Sequence, residues 1–304
     1  MYRKDWSDSF FTSYNRALAE SFERETADVD EQQLDDPAVL AAIQQASFNS
    51  LQTWYDRPLD ELDGQTPDQL IEALEGPDEL LSFTEDAAER CDDILPDLLV
   101  MRLAREEQVM RPVLRERALA ADYEARGHDE VDEELIVPAQ LARLLGDWQD
   151  LDFARHFFRK VAATDRVNEL IADSGRHLAE TLGHSIVPEL LARSAALLEA
   201  NRYSASLDYL LVFLTIAATS ESDEEIRDLC FRQLRAAFRQ MPQRVIPTIC
   251  IGDLGDGRGV TLLRGWLERH YHQLDRQLFY ELLSSIRRLG GETTDLMRFL
   301  PQTP

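Results

Sequence analysis

Apolar residues recur at three- and four-residue steps along most of the chain, the period of an amphipathic helix. In SDSFFTSYNRALAESFERE, Phe10, Phe11, Tyr14, Leu18 and Phe22 fall on one predicted face. After a polar acidic stretch, Asp36 and Pro37 form the start signal of a second helix, an N-cap followed by proline at the first helical position. That helix, PAVLAAIQQASFNSLQTWYD, is predicted to stop before Pro58. Thr66 and Pro67 repeat the start signal, and Gly76-Pro77 supplies a stop. Further helices are predicted over Asp78–Cys91 and Pro96–Leu119.

The period fails in ADYEARGHDEVDEE, Ala121 to Glu134, where seven residues are acidic and few are apolar. This stretch is expected to be a loop or a domain boundary. It separates an acidic, irregular helical N-terminal region, 1–121, from the remainder, with 122–134 as the boundary and 135–304 as a second region. From Leu135 the helical period returns and holds to the end, in segments such as VPAQLARLLGD, SIVPELLARSAALLEAN and DEEIRDLCFRQLRAAFRQ. Alternation of period two never lasts, so no strand is predicted. The fold class is all-α.

One unit recurs. SLDYLLVFLTIAATSESDEEIRDLCFRQLRAAF aligns with GVTLLRGWLERHYHQLDRQLFYELLSSIRRLGG at an offset of 53 residues, placing Leu207, Leu210, Leu211 and Leu214 over Val260, Leu263, Arg264 and Leu267. Ile226, Leu229 and Cys230 likewise fall over Phe279, Leu282 and Leu283. Two helices with matching apolar faces thus occur twice, with a short extra helix between the copies. Such units bury their shared face by stacking. The stretch from Leu254-Gly255-Asp256, through an apolar helix and a second helix with an early Arg, to Leu289-Gly290 resembles a HEAT repeat. The resemblance is closest over 251–291 and extends loosely over 135–300. It implies an α-solenoid, an α-α superhelix of HEAT-like hairpins, that binds a protein partner on its surface. A minority of that family are enzymes or nucleic-acid binders.

Composition narrows the function classes. The formal net charge is −25, which opposes association with nucleic acid or anionic membranes. The charge is uneven: Ile226 to Pro304 holds twelve Arg against eight Asp and Glu, a net of +4, leaving −29 on Met1 to Glu225. Only Lys4 and Lys160 are lysines. No apolar run is long enough to cross a bilayer. MYRKDWSDSFF has no apolar stretch after its basic residues, so no signal peptide and a cytoplasmic location are expected. Cys91, Cys230 and Cys250 are odd in number and widely spaced, as buried apolar residues would be.

Candidate chemistry is sparse. His270 and His272, with Glu268, could in principle hold a metal, but two-residue spacing suits a strand and these lie at a helix end. His177 and His184 are two helical turns apart, with Gly183 interrupting. CDDILPD lacks the alternating carboxylates and central Gly of a calcium loop, and GDLGDGRG lacks the preceding strand of a phosphate loop. No nucleophile-elbow or dinucleotide motif is present. No cofactor is expected.

The arginines carry the remaining signal. Arg227, Arg232, Arg235 and Arg239 lie on one predicted helix, and Arg276, Arg287 and Arg288 on another. Stacked side by side, these helices would form a shallow basic groove bringing Arg288 near Arg235 and Arg239. The same pattern also describes an ordinary solvated face. A groove could receive an acidic peptide, a phosphorylated segment or the chain's own acidic N-terminal half, because planar guanidinium forks grip carboxylates and phosphates. The expectation is a non-enzymatic protein–protein interaction scaffold. A metal-dependent enzyme or a nucleic-acid binder on the same scaffold are the alternatives.

Overall fold

The computed structural model describes residues 4–27, 29, 37–91, 95–125, 132–219 and 223–301. Asp36, expected as a cap, lies outside them, as do Asp92 and Asp93. The described residues form fifteen α-helices and no strand; one isolated bridge joins Glu124 to Val167. No helix among them is long and apolar enough to cross a membrane. The chain divides into two compact units, Met1–Glu116 and Arg117–Pro304.

The first unit holds α1 (Lys4–Thr26), α2 (Pro37–Tyr55), α3 (Pro67–Glu72), α4 (Gly76–Arg90) and α5 (Asp97–Arg105). Its core is aromatic. Phe83 on α4 lies 5.2 Å from Phe10 and 5.0 Å from Phe11 between ring centroids, and Trp54 on α2 lies 5.5 Å from Phe10. The predicted face of α1 is buried at Phe10, Phe11 and Tyr14, but Phe22 is exposed and Ser21 is buried in its place. The reason is geometric. Each four-residue step overshoots a full turn by about 40°, so two such steps rotate Phe22 about 80° away from Tyr14, whereas Ser21 stays within about 20° of it. Thr66 caps α3 as expected, in a reciprocal capping box with Gln69. α3 stops at Glu72, short of the expected Gly76-Pro77, and Gly76, at φ 75°, and Pro77 are instead the first two residues of α4.

The helix predicted over Pro96–Leu119 is two, α5 and α6 (Glu107–Ala120), with Glu106 between them outside helical geometry. Pro112 inside α6 lacks an amide donor and crowds the Gln108 carbonyl, and the break falls in the turn before that carbonyl.

Residues 121–125, part of the expected boundary loop, are tied into the second unit. Ala125 N–H donates to the Arg166 carbonyl and Asn168 N–H to that of Tyr123. The Glu124 carboxylate accepts from the Asp165 and Arg166 amides, both at 2.9 Å. Lys160 donates to the carbonyls of Leu119 and Ala121, and its ammonium sits 4.5 Å from the Tyr123 ring centroid. The acidic composition of this stretch concealed one fully buried aromatic, Tyr123.

The second unit continues with α7 (Ile136–Asp147), α8 (Leu151–Ala163), α9 (Glu169–Leu182), α10 (Val187–Glu199), α11 (Ala205–Thr219), α12 (Glu224–Gln240), α13 (Val245–Leu254), α14 (Arg258–His270) and α15 (Arg276–Arg288). Asp150, Asn168, Asp223 and Asp275 cap α8, α9, α12 and α15 through their side chains. Packing alternates. Odd-numbered helices pack in succession, α7 on α9, α9 on α11, α11 on α13 and α13 on α15, while α8 packs on α10 and α10 on α12. Close approach in the odd row occurs at glycine: a Cβ on Gly175 of α9 would lie 2.6 Å from Cζ of Phe213 on α11, and one on Gly252 of α13 would lie 2.8 Å from Ser285 on α15.

This alternation corrects the expected repeat. The 53-residue offset carries α11 onto α14 and α12 onto α15, across three helices. With two rows in alternation, each matched pair joins helices of opposite rows. Only two of the four aligned positions of the first helix are deeply buried in both copies, Leu210 with Leu263 and Leu214 with Leu267. The helix expected as an extra, α13, packs on α11, α12 and α15 and buries six residues, among them Cys250 and Ile251.

Candidate functional site: an arginine groove between α12 and α14

The second unit carries an open groove of about 670 Å³, lined by Asp228, Phe231, Arg232, Arg235 and Arg239 from α12 and by Arg258, Thr261, Leu262 and Arg269 from α14. Asp228, Arg232, Arg235 and Arg239 follow steps of four, three and four, which is one helical face. Arg258 and Arg269 are eleven residues apart, as are Asp228 and Arg239, so each wall spans about 16 Å of helix axis. The opposite faces of both helices are buried, through Cys230, Leu234 and Phe238 on α12 and Leu263 and Leu267 on α14. Burial of those apolar faces turns the arginines outward.

The two helices run in the same direction along the groove. At the start of α14 and midway along α12, the Arg258 guanidinium lies 4.4 Å from the Phe231 ring centroid. Near their ends, Phe238 meets Trp266 edge to face at 5.4 Å.

The charges are distributed unevenly between the two ends. At the first, Asp228 accepts from Arg258 at 2.5 Å and pairs with Arg232 at 2.6 Å, while Arg258 also pairs with Asp256 at 2.6 Å. The hydrogen bond from Arg258 holds the Asp228 carboxyl below its usual range, and the nearby Arg232 charge lowers it further. Asp256 is lowered chiefly by the same guanidinium, and Arg258 is raised in return, by Asp256 first and Asp228 second. Two arginines therefore face two carboxylates, and this end is close to neutral. At the far end, Arg235, Arg239 and Arg269 have no carboxylate partner among the described residues. Arg269 donates Nε–H to the Gly265 carbonyl at 2.6 Å, which steadies the side chain without neutralising it.

Of the seven arginines singled out in the sequence, Arg232, Arg235 and Arg239 line this groove. Arg227 donates instead to the Leu254 carbonyl at 3.3 Å. Arg288 is not beside Arg235 and Arg239 as expected: it pairs with Asp253 on α13 and donates to Ser285. Its helix, α15, belongs to the odd row and α12 to the even one. Arg276 and Arg287, also on α15, do not line the groove either. Arg258 and Arg269 were missed. Their eleven-residue spacing, matching that of Asp228 and Arg239, is the signal that marks them.

The other candidates resolve individually. His270 donates its Nδ1–H to the Trp266 carbonyl and stacks on the Trp266 ring, and His272 packs against Tyr271. His177 bonds Asp147 at 2.7 Å, in the last residue of α7. Among the described residues, no three His, Cys, Asp or Glu side chains come together as a metal site. Cys91, Cys230 and Cys250 are all buried, and burial pushes Cys250 up to about 12.

No protein-family model, curated protein or solved structure matches the chain.

Proposed function

We propose that the protein is a non-enzymatic interaction scaffold of HEAT-like character, an α-solenoid in its second unit, which holds an acidic protein segment in the α12–α14 groove. The observation that carries this reading is the set of three arginines, Arg235, Arg239 and Arg269, open to solvent on one groove and unmatched by carboxylates among the described residues. In a chain of net charge −25, uncompensated cations gathered on one face are a local exception. The alternating rows of α7 to α15 support the solenoid reading, since stacked helical pairs expose long grooves between neighbours of one row. The net charge of −25 argues against nucleic acid, because a chain of phosphates is repelled on average by so acidic a protein.

The test is fluorescence anisotropy with a labelled Glu-rich peptide at low salt. Binding is expected, with Arg235→Ala and Arg239→Ala each weakening it about tenfold, as the loss of one charge-assisted bond of roughly 1.5 kcal/mol would require. Arg288→Ala, outside the groove, should leave it unchanged. Absence of binding to any acidic peptide, or equal loss in all variants, rejects this surface.

A further inference from the structure

We infer that the groove is built for a phosphorylated peptide, with the phosphoryl group at the Arg235/Arg239/Arg269 end and an uncharged or apolar side chain over Phe231, Thr261 and Leu262. This deepens the scaffold reading and rests on it.

The charge count favours phosphate over carboxylate. Three unmatched guanidiniums contribute +3 at this end. Arg239 lies in the last turn of α12 and Arg269 in the last turn of α14. Each helix C-terminus carries about −0.5 of an elementary charge. The local sum is therefore about +2. A phosphomonoester at pH 7 carries about −1.5 to −2 and presents three terminal oxygens, one for each guanidinium fork. A single Asp or Glu supplies half that charge and leaves one or two arginines without an acceptor.

The other end sets orientation. Arg258 is already saturated by Asp228 and Asp256 and lies against the Phe231 ring, so it is a fixed part of the wall rather than an open anion site. A second anion there would meet Asp228 and Asp256. A neutral side chain instead gains contact with Leu262 and Thr261. The walls are about 16 Å long, and an extended peptide covers that distance with about five residues. A free phosphate would occupy a small part of the 670 Å³. This length and the apolar lining favour a peptide over a phosphorylated small molecule.

The decisive comparison uses full-length protein and one labelled peptide in three forms, carrying phosphoserine, Glu or Ser at a single position, with a Leu four residues away. The phosphoserine form should bind about tenfold more tightly than the Glu form, the gain expected from added charge-assisted bonds of about 1.5 kcal/mol. Arg235→Ala, Arg239→Ala and Arg269→Ala should each erase most of that preference. Arg288→Ala should retain it. Equal affinity for the phosphoserine and Glu forms, with both weakened by Arg235→Ala, overturns the phosphoryl assignment and leaves the acidic-peptide reading standing. No binding of either form removes both. Inorganic phosphate that competes at the peptide's own affinity overturns the peptide as occupant, and a single-stranded oligonucleotide that outcompetes it reassigns the groove to nucleic acid. Unchanged melting temperatures confirm that the exposed arginine variants are folded.

Discussion

At the scale of single residues, the clearest tension outside the groove is Asp208 in the first turn of α11. Its Oδ1 is buried and has no hydrogen-bond partner among the described residues. Burial raises its pKa from 3.8 to about 6. A folded pKa above the unfolded one means that the stability associated with the protonated acid is complete below about pH 4. That stability is lost as pH rises through 6. An asparagine amide keeps the shape of the carboxyl group and cannot ionise. Asp208→Asn is therefore expected to raise the melting temperature at pH 7 and to leave it close to wild type at pH 4. Thermal melts at the two pH values measure this, and a variant less stable than wild type at pH 7 would show that the ionised carboxylate has a stabilising partner. None of this was legible in the chain, because Asp208 sits in SASLDYLLVF as an ordinary first-turn acid. Its burial comes from neighbours brought over it by folding.

At the scale of helices, the odd row depends on how closely its members approach. Gly175 faces the ring of Phe213, which is almost fully buried and has no free space into which to move. Gly175→Ala gains about 1 kcal/mol of helix propensity, yet overpacking against a fixed ring costs typically 1–3 kcal/mol. The net expectation is destabilisation, seen as a lower midpoint in urea with an unchanged slope. Gly146→Ala should be milder, because the nearest atoms, on His177 and Leu178, lie at 3.1 and 3.2 Å and need give way less than the Phe213 ring at 2.6 Å from a Cβ on Gly175. A Gly175→Ala protein as stable as wild type would mean that α9 and α11 can slide apart freely. Helix positions were largely readable from period and caps, as at Thr66-Pro67. The break at Glu106 was not, since the disruption by Pro112 is felt upstream of the residue that causes it.

For the whole molecule, charge acts in two opposite directions. A net −25 repels itself across the surface, and salt at about 0.1 M screens charges beyond about 10 Å. Melting temperature should rise as sodium chloride is added from low ionic strength. Peptide affinity in the groove should fall over the same range, because that attraction is screened as well. Circular dichroism melts and anisotropy on one salt series read both; a melting temperature that falls with added salt would mean that ion pairs, such as those of Arg258, outweigh the repulsion.

The chain alone determined that the protein is helical, because the period of apolar residues is a local property that any segment carries with it. It also concentrated arginine in the last eighty or so residues. Which arginines meet was decided by tertiary packing. The offset of 53 spans three helices, an odd number, so in two alternating rows it pairs segments that lie in different layers. That is why Arg288 faces Asp253 while Arg258 and Arg269, on a helix the repeat had matched to α11, complete the groove with Arg232, Arg235 and Arg239.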